Sequence, residues 1–152
     1  ANGWLREPRL KRLMGRVAAA QRSYRELPFI YRTDKRVIHG VLDLLFQDET
    51  GKWVLVDYKS SRIPGYGEGL KVDESKNRWL LTEHVKRYYL QVGVYAAAVE
   101  QQLGPGITSD DIEVIVYYLR YGQQVPVRTA NWAAAVSELE NQIGKMIEDT
   151  DA

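Results

Sequence analysis

The sequence predicts a single α/β (α+β) domain in which a central mixed β-sheet is flanked by helices. Three observations predict it. The 152 residues are 45% hydrophobic, which is near the common size of one domain and enough for a core. Periodic apolar segments follow one another in the order α-β-β-β-α-β-β-α, neither all helix nor all strand. The segment Val37–Gln47 is apolar at both parities, as in a strand covered on both faces, and Asp48-Glu49-Thr50-Gly51 after it is a hairpin turn signal.

Each element has its own reason. Pro8 suits a first helical turn, Leu10, Leu13, Met14 and Val17 recur at helical spacing, and Ala18-Ala19-Ala20 continue the run. Residues 24–32, rich in Tyr, Phe and Ile, alternate loosely and read as a strand. In the strand Val37–Gln47, alternation puts Val37, His39, Val41, Asp43 and Leu45 on one face and Ile38, Gly40, Leu42, Leu44 and Phe46 on the other. Trp53–Lys59 is its hairpin partner. Residues 60–82, rich in Gly, Ser and charge, read as a long loop, and a loop of that length in a compact domain marks function or mobility. Glu83–Leu103 is the longest expected helix, with a stripe of Val85, Tyr88, Tyr89, Val92, Ala96, Val99 and Leu103, stopped by Gly104-Pro105-Gly106. Ile112–Tyr121 and Val125–Val127 read as strands about a turn at Gly122, and Asn131–Ile147 as an amphipathic last helix. There is no internal repeat.

Composition removes several function classes. Without cysteine there is no disulfide, zinc–thiolate or thiol chemistry, and two histidines do not make a zinc site. The missing cysteine fits a cytoplasmic protein. No run approaches the ~18 apolar residues of a membrane span, and no phosphate loop of the Walker type is present. The net charge of +1 hides an asymmetry: residues 1–36 hold ten Lys/Arg against three Asp/Glu, and residues 37–152 hold eleven against seventeen. The basic section, with Arg9, Arg12 and Arg16 on the first helix, is either the footprint of a polyanion partner or a solvated helix face.

Three sets of residues stand out chemically. Asp43 lies within an apolar strand, where carboxylates are rarely buried unless paired or metal-bound. Asp57 and Lys59, two apart on a strand, share a face with Trp53 and Leu55. If the hairpin pairs antiparallel, Asp43 and Asp57 approach one another, which is costly unless a cation lies between them, and a hard ion such as Mg²⁺ prefers such oxygen ligands. The plain alternative is an Asp–Lys ion pair. Gln91 and Tyr95, four apart on a helix, share a face that borders the apolar stripe, where boundary packing is the plain reading. His39 lies on the expected face of Asp43, and His84, opening a helix, is expected to be exposed.

In order, these residues resemble one family. Tyr24-Arg25-Glu26-Leu27-Pro28-Phe29 is similar to the "REhPF" strand of RecB-type nucleases, and His39-Gly40-Val41-Leu42-Asp43-Leu44-Leu45-Phe46 to their "xGxIDLLF" strand. Val56-Asp57-Tyr58-Lys59-Ser60 resembles their "VDYKT/S" strand, and Gln91-Val92-Gly93-Val94-Tyr95 their QxxxY helix. The resemblance, over Tyr24 to Ala98, is to the PD-(D/E)XK nuclease domain at the C-terminal end of AddA and RecB helicase–nucleases.

The resemblance implies a restriction-endonuclease-like core in residues 1–152, cut from a larger helicase–nuclease. It implies hydrolysis of DNA phosphodiesters with Mg²⁺, for which Mn²⁺ substitutes, by exonucleolytic attack on a single-stranded end fed by a helicase during double-strand break repair. Partners would be DNA, the helicase domains and a further polypeptide of the complex. Asp43 and Asp57 would bind the metal by side chain and Tyr58 by its backbone carbonyl. Lys59 would activate the attacking water, Gln91 and Tyr95 would support the site and the DNA backbone, and Glu26 would lie nearby. Arg9, Arg12, Arg16, Arg62, Lys71 and Lys76 would contact phosphates. One departure stands: the family's metal-binding His, in a "GxxxH" context on an upstream helix, has no counterpart, since residues 1–20 contain no His. Either the chain begins downstream of that helix, as its start at Ala1 without Met suggests, or this branch lost the ligand. The contrasting function is a non-catalytic DNA-binding or scaffolding domain of the same fold.

Overall fold

A computed structural model describes residues 8–107 and 111–128, together with 136–138, 140–142 and 145. The elements run α1 (Pro8–Ala18), β1 (Arg22–Arg32), β2 (Val37–Gln47), β3 (Trp53–Lys59), α2 (Glu74–Val85), a 3₁₀ turn (Lys86–Tyr88), α3 (Tyr89–Leu103), β4 (Ile112–Tyr118) and β5 (Gln123–Val127). The strands form one sheet in the order β1-β2-β3-β4-β5. All neighbours are antiparallel except β3 and β4. A parallel pair needs a crossover of a dozen or more residues, and α2 and α3 provide it. The mixed sheet with flanking helices is the predicted class.

The sheet separates two cores. Leu10, Leu13 and Val17 of α1 pack on Leu44, Phe46, Val54, Val56, Ile115 and Tyr117 on one face. On the other, Leu81 and Val85 of α2 and Val92, Ala96 and Val99 of α3 cover Leu42, Leu45, Leu55, Val114, Val116 and Tyr118. β3 and β4 therefore alternate between two buried layers, and Val54, Leu55 and Val56 are all fully buried.

Three expectations need correction. First, the loop after β3 ends at residue 73, not 82, because Asp73 caps α2: its Oδ1 accepts from the Lys76 amide at 3.0 Å. Second, the long helix is two helices. The 3₁₀ turn Lys86–Tyr88 joins α2 to α3, and a stripe spaced by three and four residues does not distinguish an unbroken helix from one tightened for a turn.

Third, β2 does not keep one phase. Leu42 and Leu45, three residues apart, pack into the same core, while Leu44 and Phe46 enter the other. The phase changes at Asp43. Across from it on β1 the Glu26 pairing is skipped, and Glu26 has φ of +49°, the only non-glycine residue with positive φ among those described. Such a local departure from extended geometry is costly and occurs characteristically at functional sites. Only the second half of β2 is covered on both faces. Its first half runs past β3 paired with β1 alone, so Val37, His39 and Val41 are exposed.

β4 ends at Tyr118 rather than Tyr121. The helix expected over Asn131–Ile147 falls largely outside the described residues; its Val136 is buried against the α3 side of the sheet. No helix among the described residues is long and apolar enough to cross a membrane.

Candidate active site

The site lies where β2 and β3 part. Their ladder runs from Gln47↔Trp53 to Leu44↔Val56 and stops. Asp43 and Asp57 are the next residues on each strand. The Tyr58 amide, free of the ladder, donates instead to Asp43 Oδ2 at 2.8 Å. One carboxylate thus takes the place of a strand carbonyl, ties the separating strands together, and brings the acidic group of β2 to that of β3.

Asp57 is only 5% exposed. Burial pushes its carboxyl up to about 6, and the Asp43 carboxylate adds to the rise while the Lys59 ammonium opposes it. Lys59 Nζ lies 3.1 Å from Asp57 Oδ2, an ion-pair distance, yet that buried oxygen accepts no hydrogen bond of adequate geometry. The ammonium is directed elsewhere. It donates to Gln91 Oε1 at 2.9 Å and lies over the Tyr88 ring, 4.3 Å from its centroid. Gln91 Nε2 in turn donates to the Tyr95 hydroxyl at 2.9 Å. α3 presents Gln91 and Tyr95 one turn apart, so the amide is fixed from both ends. Burial, then the Asp57 charge, raises Tyr95, so its phenol stays neutral at ordinary pH. With its oxygen accepting from Gln91, its own proton is available to another acceptor.

Supporting side chains extend the network. Tyr95 meets Phe29 edge-on at 5.3 Å. Phe29 fits there because its partner on β2 is Gly40, where a Cβ would fall 2.4 Å from the Phe29 ring. Tyr88 Oη shares a hydrogen bond of 2.9 Å with Ser61 Oγ. His84, expected to be exposed, is buried, and its Nδ1 shares a 2.9 Å hydrogen bond with Tyr118 Oη. Burial lowers its pKa and raises that of Tyr118. Tyr88, Ser61, His84 and Tyr118 belong to none of the sequence motifs. In sequence, Tyr88 is one member of an apolar stripe, and nothing local shows that a turn places its ring under Lys59.

The arrangement suits a hard divalent cation. Two carboxylates one strand apart raise each other's proton affinity, and one of their oxygens is buried without a hydrogen bond. A metal ion relieves both costs. Among the described residues no three His, Cys, Asp or Glu side chains converge into a ready-made metal cage. Two carboxylates with a backbone carbonyl and water are a donor set that Mg²⁺ accepts.

The profile of the PD-(D/E)XK nuclease superfamily matches residues 3–151. This chain belongs to that superfamily. Among its relatives, the AddA-type ATP-dependent helicase/nuclease of Lysinibacillus sphaericus is 38% identical over 94 residues, 58% of this chain and 7% of that protein. The RecBCD enzyme subunit RecB of Chlamydia pneumoniae is 30% identical over 97 residues, 64% of this chain and 9% of that protein. Another ATP-dependent helicase/nuclease of the AddA type, from Carboxydothermus hydrogenoformans, is 29% identical over 125 residues, 74% of this chain and 9% of that protein. The chain spans less than a tenth of the length of these relatives. For a PD-(D/E)XK nuclease fold, the aspartates and lysine of β2 and β3 lie at the sheet's parting edge with α3 beside them.

The other expected residues are dispersed. Glu26 is exposed opposite Asp43, and His39 is exposed on the outlying part of β2. Arg62, Lys71 and Lys76 are exposed, Arg62 three residues after Lys59. Arg9, Arg12 and Arg16 belong to α1, which packs on the sheet face opposite α3. The structure therefore does not bring them together with the aspartates and lysine. Arg16 is also committed, 3.6 Å from Asp48 and 3.5 Å from Glu113.

Proposed function

We propose that this chain is a metal-dependent deoxyribonuclease domain, working exonucleolytically within an ATP-driven helicase–nuclease that processes double-strand breaks for repair and recombination. The observation that carries this reading is the cluster at the parting of β2 and β3. Asp57 is buried and strained in charge, Asp43 is held against the Tyr58 amide, and Lys59 is aimed by Gln91. Three ionisable groups so placed weaken a fold that does not use them. The relatives' names, ATP-dependent helicase/nuclease and RecB, support the helicase partnership and, with it, work on bacterial DNA in the cytoplasm.

In this reading Asp43, Asp57 and the Tyr58 carbonyl hold Mg²⁺, or Mn²⁺ in its place. The bound ion supplies a lowered water pKa and offsets charge developing on the phosphate. Lys59 orients the attacking water and adds a second positive charge beside the phosphoryl oxygens. Gln91 fixes the ammonium, and Tyr95 fixes Gln91 while keeping a neutral hydroxyl donor toward the DNA backbone. Arg62 and Lys71 contact phosphates as the strand leaves the site.

The test is cleavage of end-labelled linear single- and double-stranded DNA in Mg²⁺ or Mn²⁺ by the chain, by the full-length protein, and by Asp57→Ala and Lys59→Ala in each. Release of short products from ends, abolished by both substitutions and by EDTA, is expected. Undiminished degradation by both variants refutes the assignment. DNA binding without cleavage by the full-length protein selects the scaffolding function instead.

A further inference from the structure

A second feature lies across the sheet from the aspartates. Two adjoining hollows, of about 720 Å³ and 670 Å³, share Arg9, Arg78 and Gln123. The first is also lined by Arg12 and Arg16 of α1, the second by Trp79 and Glu74 of α2. Together they make a trough over the free edge of the sheet beside β5.

Its charges are uncommitted. Arg12 and Arg78 make no ion pair among the described residues, and Arg9 spends one donor on the Gly122 carbonyl at 3.4 Å. Each guanidinium has five donors. Against these three stands only Glu74, since the charge of Arg16 is met by Asp48 and Glu113. Trp79 is 62% exposed beside them. An indole held in water next to free guanidiniums offers a flat face to an unpaired base while the arginines take phosphates. The base pairs of a duplex are stacked upon one another and do not offer that face.

The register places the trough relative to the active site. Lys59 pairs with Tyr118, and Tyr118 with Gln123, so all three lie in one row across the sheet. Two interstrand spacings put the trough about 10 Å from Lys59. We propose that this trough is a binding site for single-stranded DNA, holding the strand beyond the scissile phosphate by Arg9, Arg12 and Arg78 and by stacking on Trp79. The proposal rests on the nuclease reading for its ligand, but its residues are separate from the cluster that cuts.

The test measures binding of the full chain to a fluorescent oligothymidylate of about 20 nucleotides in EDTA, over a range of salt. Arg12→Gln/Arg78→Gln is expected to weaken binding at least tenfold. Losing two phosphate contacts should also lower the log–log salt slope by about 1.4. Trp79→Ala should weaken binding by between about fivefold and a hundredfold, with Trp79→Phe retaining most of it. Arg12→Lys/Arg78→Lys, which keeps the charge, should bind nearly as wild type and separates loss of contact from loss of fold. With Mg²⁺, the variants should hydrolyse bis(p-nitrophenyl) phosphate, a diester too small to reach the trough, at the wild-type rate, while KM for the oligonucleotide rises. Binding within twofold of wild type by the Gln double variant or by Trp79→Ala overturns the proposal, as does absence of wild-type binding. A chain that cleaves neither substrate, yet loses oligonucleotide binding with these substitutions, refutes the nuclease reading and leaves the trough standing.

Discussion

Asp57→Asn isolates the cost of holding the site ready for a cation. The substitution keeps shape and removes the buried charge. In the metal-free protein the Asp57 carboxyl is raised from 3.8 to about 6, chiefly by burial. That difference corresponds to about 3 kcal/mol against the ionised form. The sign follows from linkage. A group with a raised folded-state pKa contributes fully below its unfolded pKa and loses that contribution as pH climbs through the folded value. Wild-type stability should therefore decline between pH 4 and pH 7 relative to the variant, which carries no such proton. Of the 3 kcal/mol, about 2.5 falls between pH 4 and pH 8, or roughly 5–10 °C in Tm for a domain of this size. The loss of a counter-ion for Lys59 reduces this, although the ammonium keeps Gln91 and the Tyr88 ring. The assay is urea unfolding of both proteins in EDTA across that range, taking the difference so that other titrating groups cancel. Mg²⁺ at pH 8 should then stabilise the wild type, by about 2.7 kcal/mol at a hundred times its Kd, and leave Asp57→Asn unmoved and inactive. A difference that is flat with pH, or that favours the wild type at pH 8, refutes the reasoning, because the Lys59 pair would then outweigh burial.

Further outcomes follow from the same geometry. Gly40→Ala should cost about 1–3 kcal/mol in chemical denaturation and lower cleavage several-fold, because the new methyl displaces Phe29 from Tyr95; unchanged stability and activity would show that the ring moves freely. Tyr95→Phe removes the acceptor of Gln91 and should cost about 1 kcal/mol, with a smaller loss of kcat than Lys59→Ala. Equal losses in the two variants would mean that the phenol itself acts on the reacting atoms. Asp73→Ala removes the α2 cap and should lower stability by about 1 kcal/mol with kcat intact, measured by thermal denaturation and cleavage together.

The candidate site was legible because its members are local in the chain. Asp57, Tyr58 and Lys59 sit within one strand, Gln91 and Tyr95 within one helical turn, and Asp43 close to the hairpin that returns to Asp57. Side-chain periods of two and 3.6 then assign faces without tertiary information. The same periods failed where the backbone leaves regular geometry. Counting by twos put Leu42 and Leu45 on opposite faces, and the change of phase at Asp43 puts them in one core. The start of α2 was legible in Asp73 but lost among the glycines and charges around it. His84 was misread because its burial depends on Tyr118, 34 residues away.

What the sequence by itself determined is the composition of the chemistry and the class of fold. It set two aspartates, a lysine and a Gln–Tyr pair on neighbouring apolar strands and a following helix, since alternation and helical spacing are properties of the chain alone. Only the tertiary structure decided how those groups are poised. The β2–β3 ladder stops at Leu44↔Val56, so the Tyr58 amide turns to Asp43, and the 3₁₀ turn brings Tyr88 beneath Lys59. It also decided that α1 and its arginines lie on the far face of the sheet, joined with Arg78 and Trp79 at the β5 edge. The physical reason is common to all of these. Periodicity reports which face a side chain takes, whereas burial, charge coupling and the end of a ladder depend on which distant segments pack together.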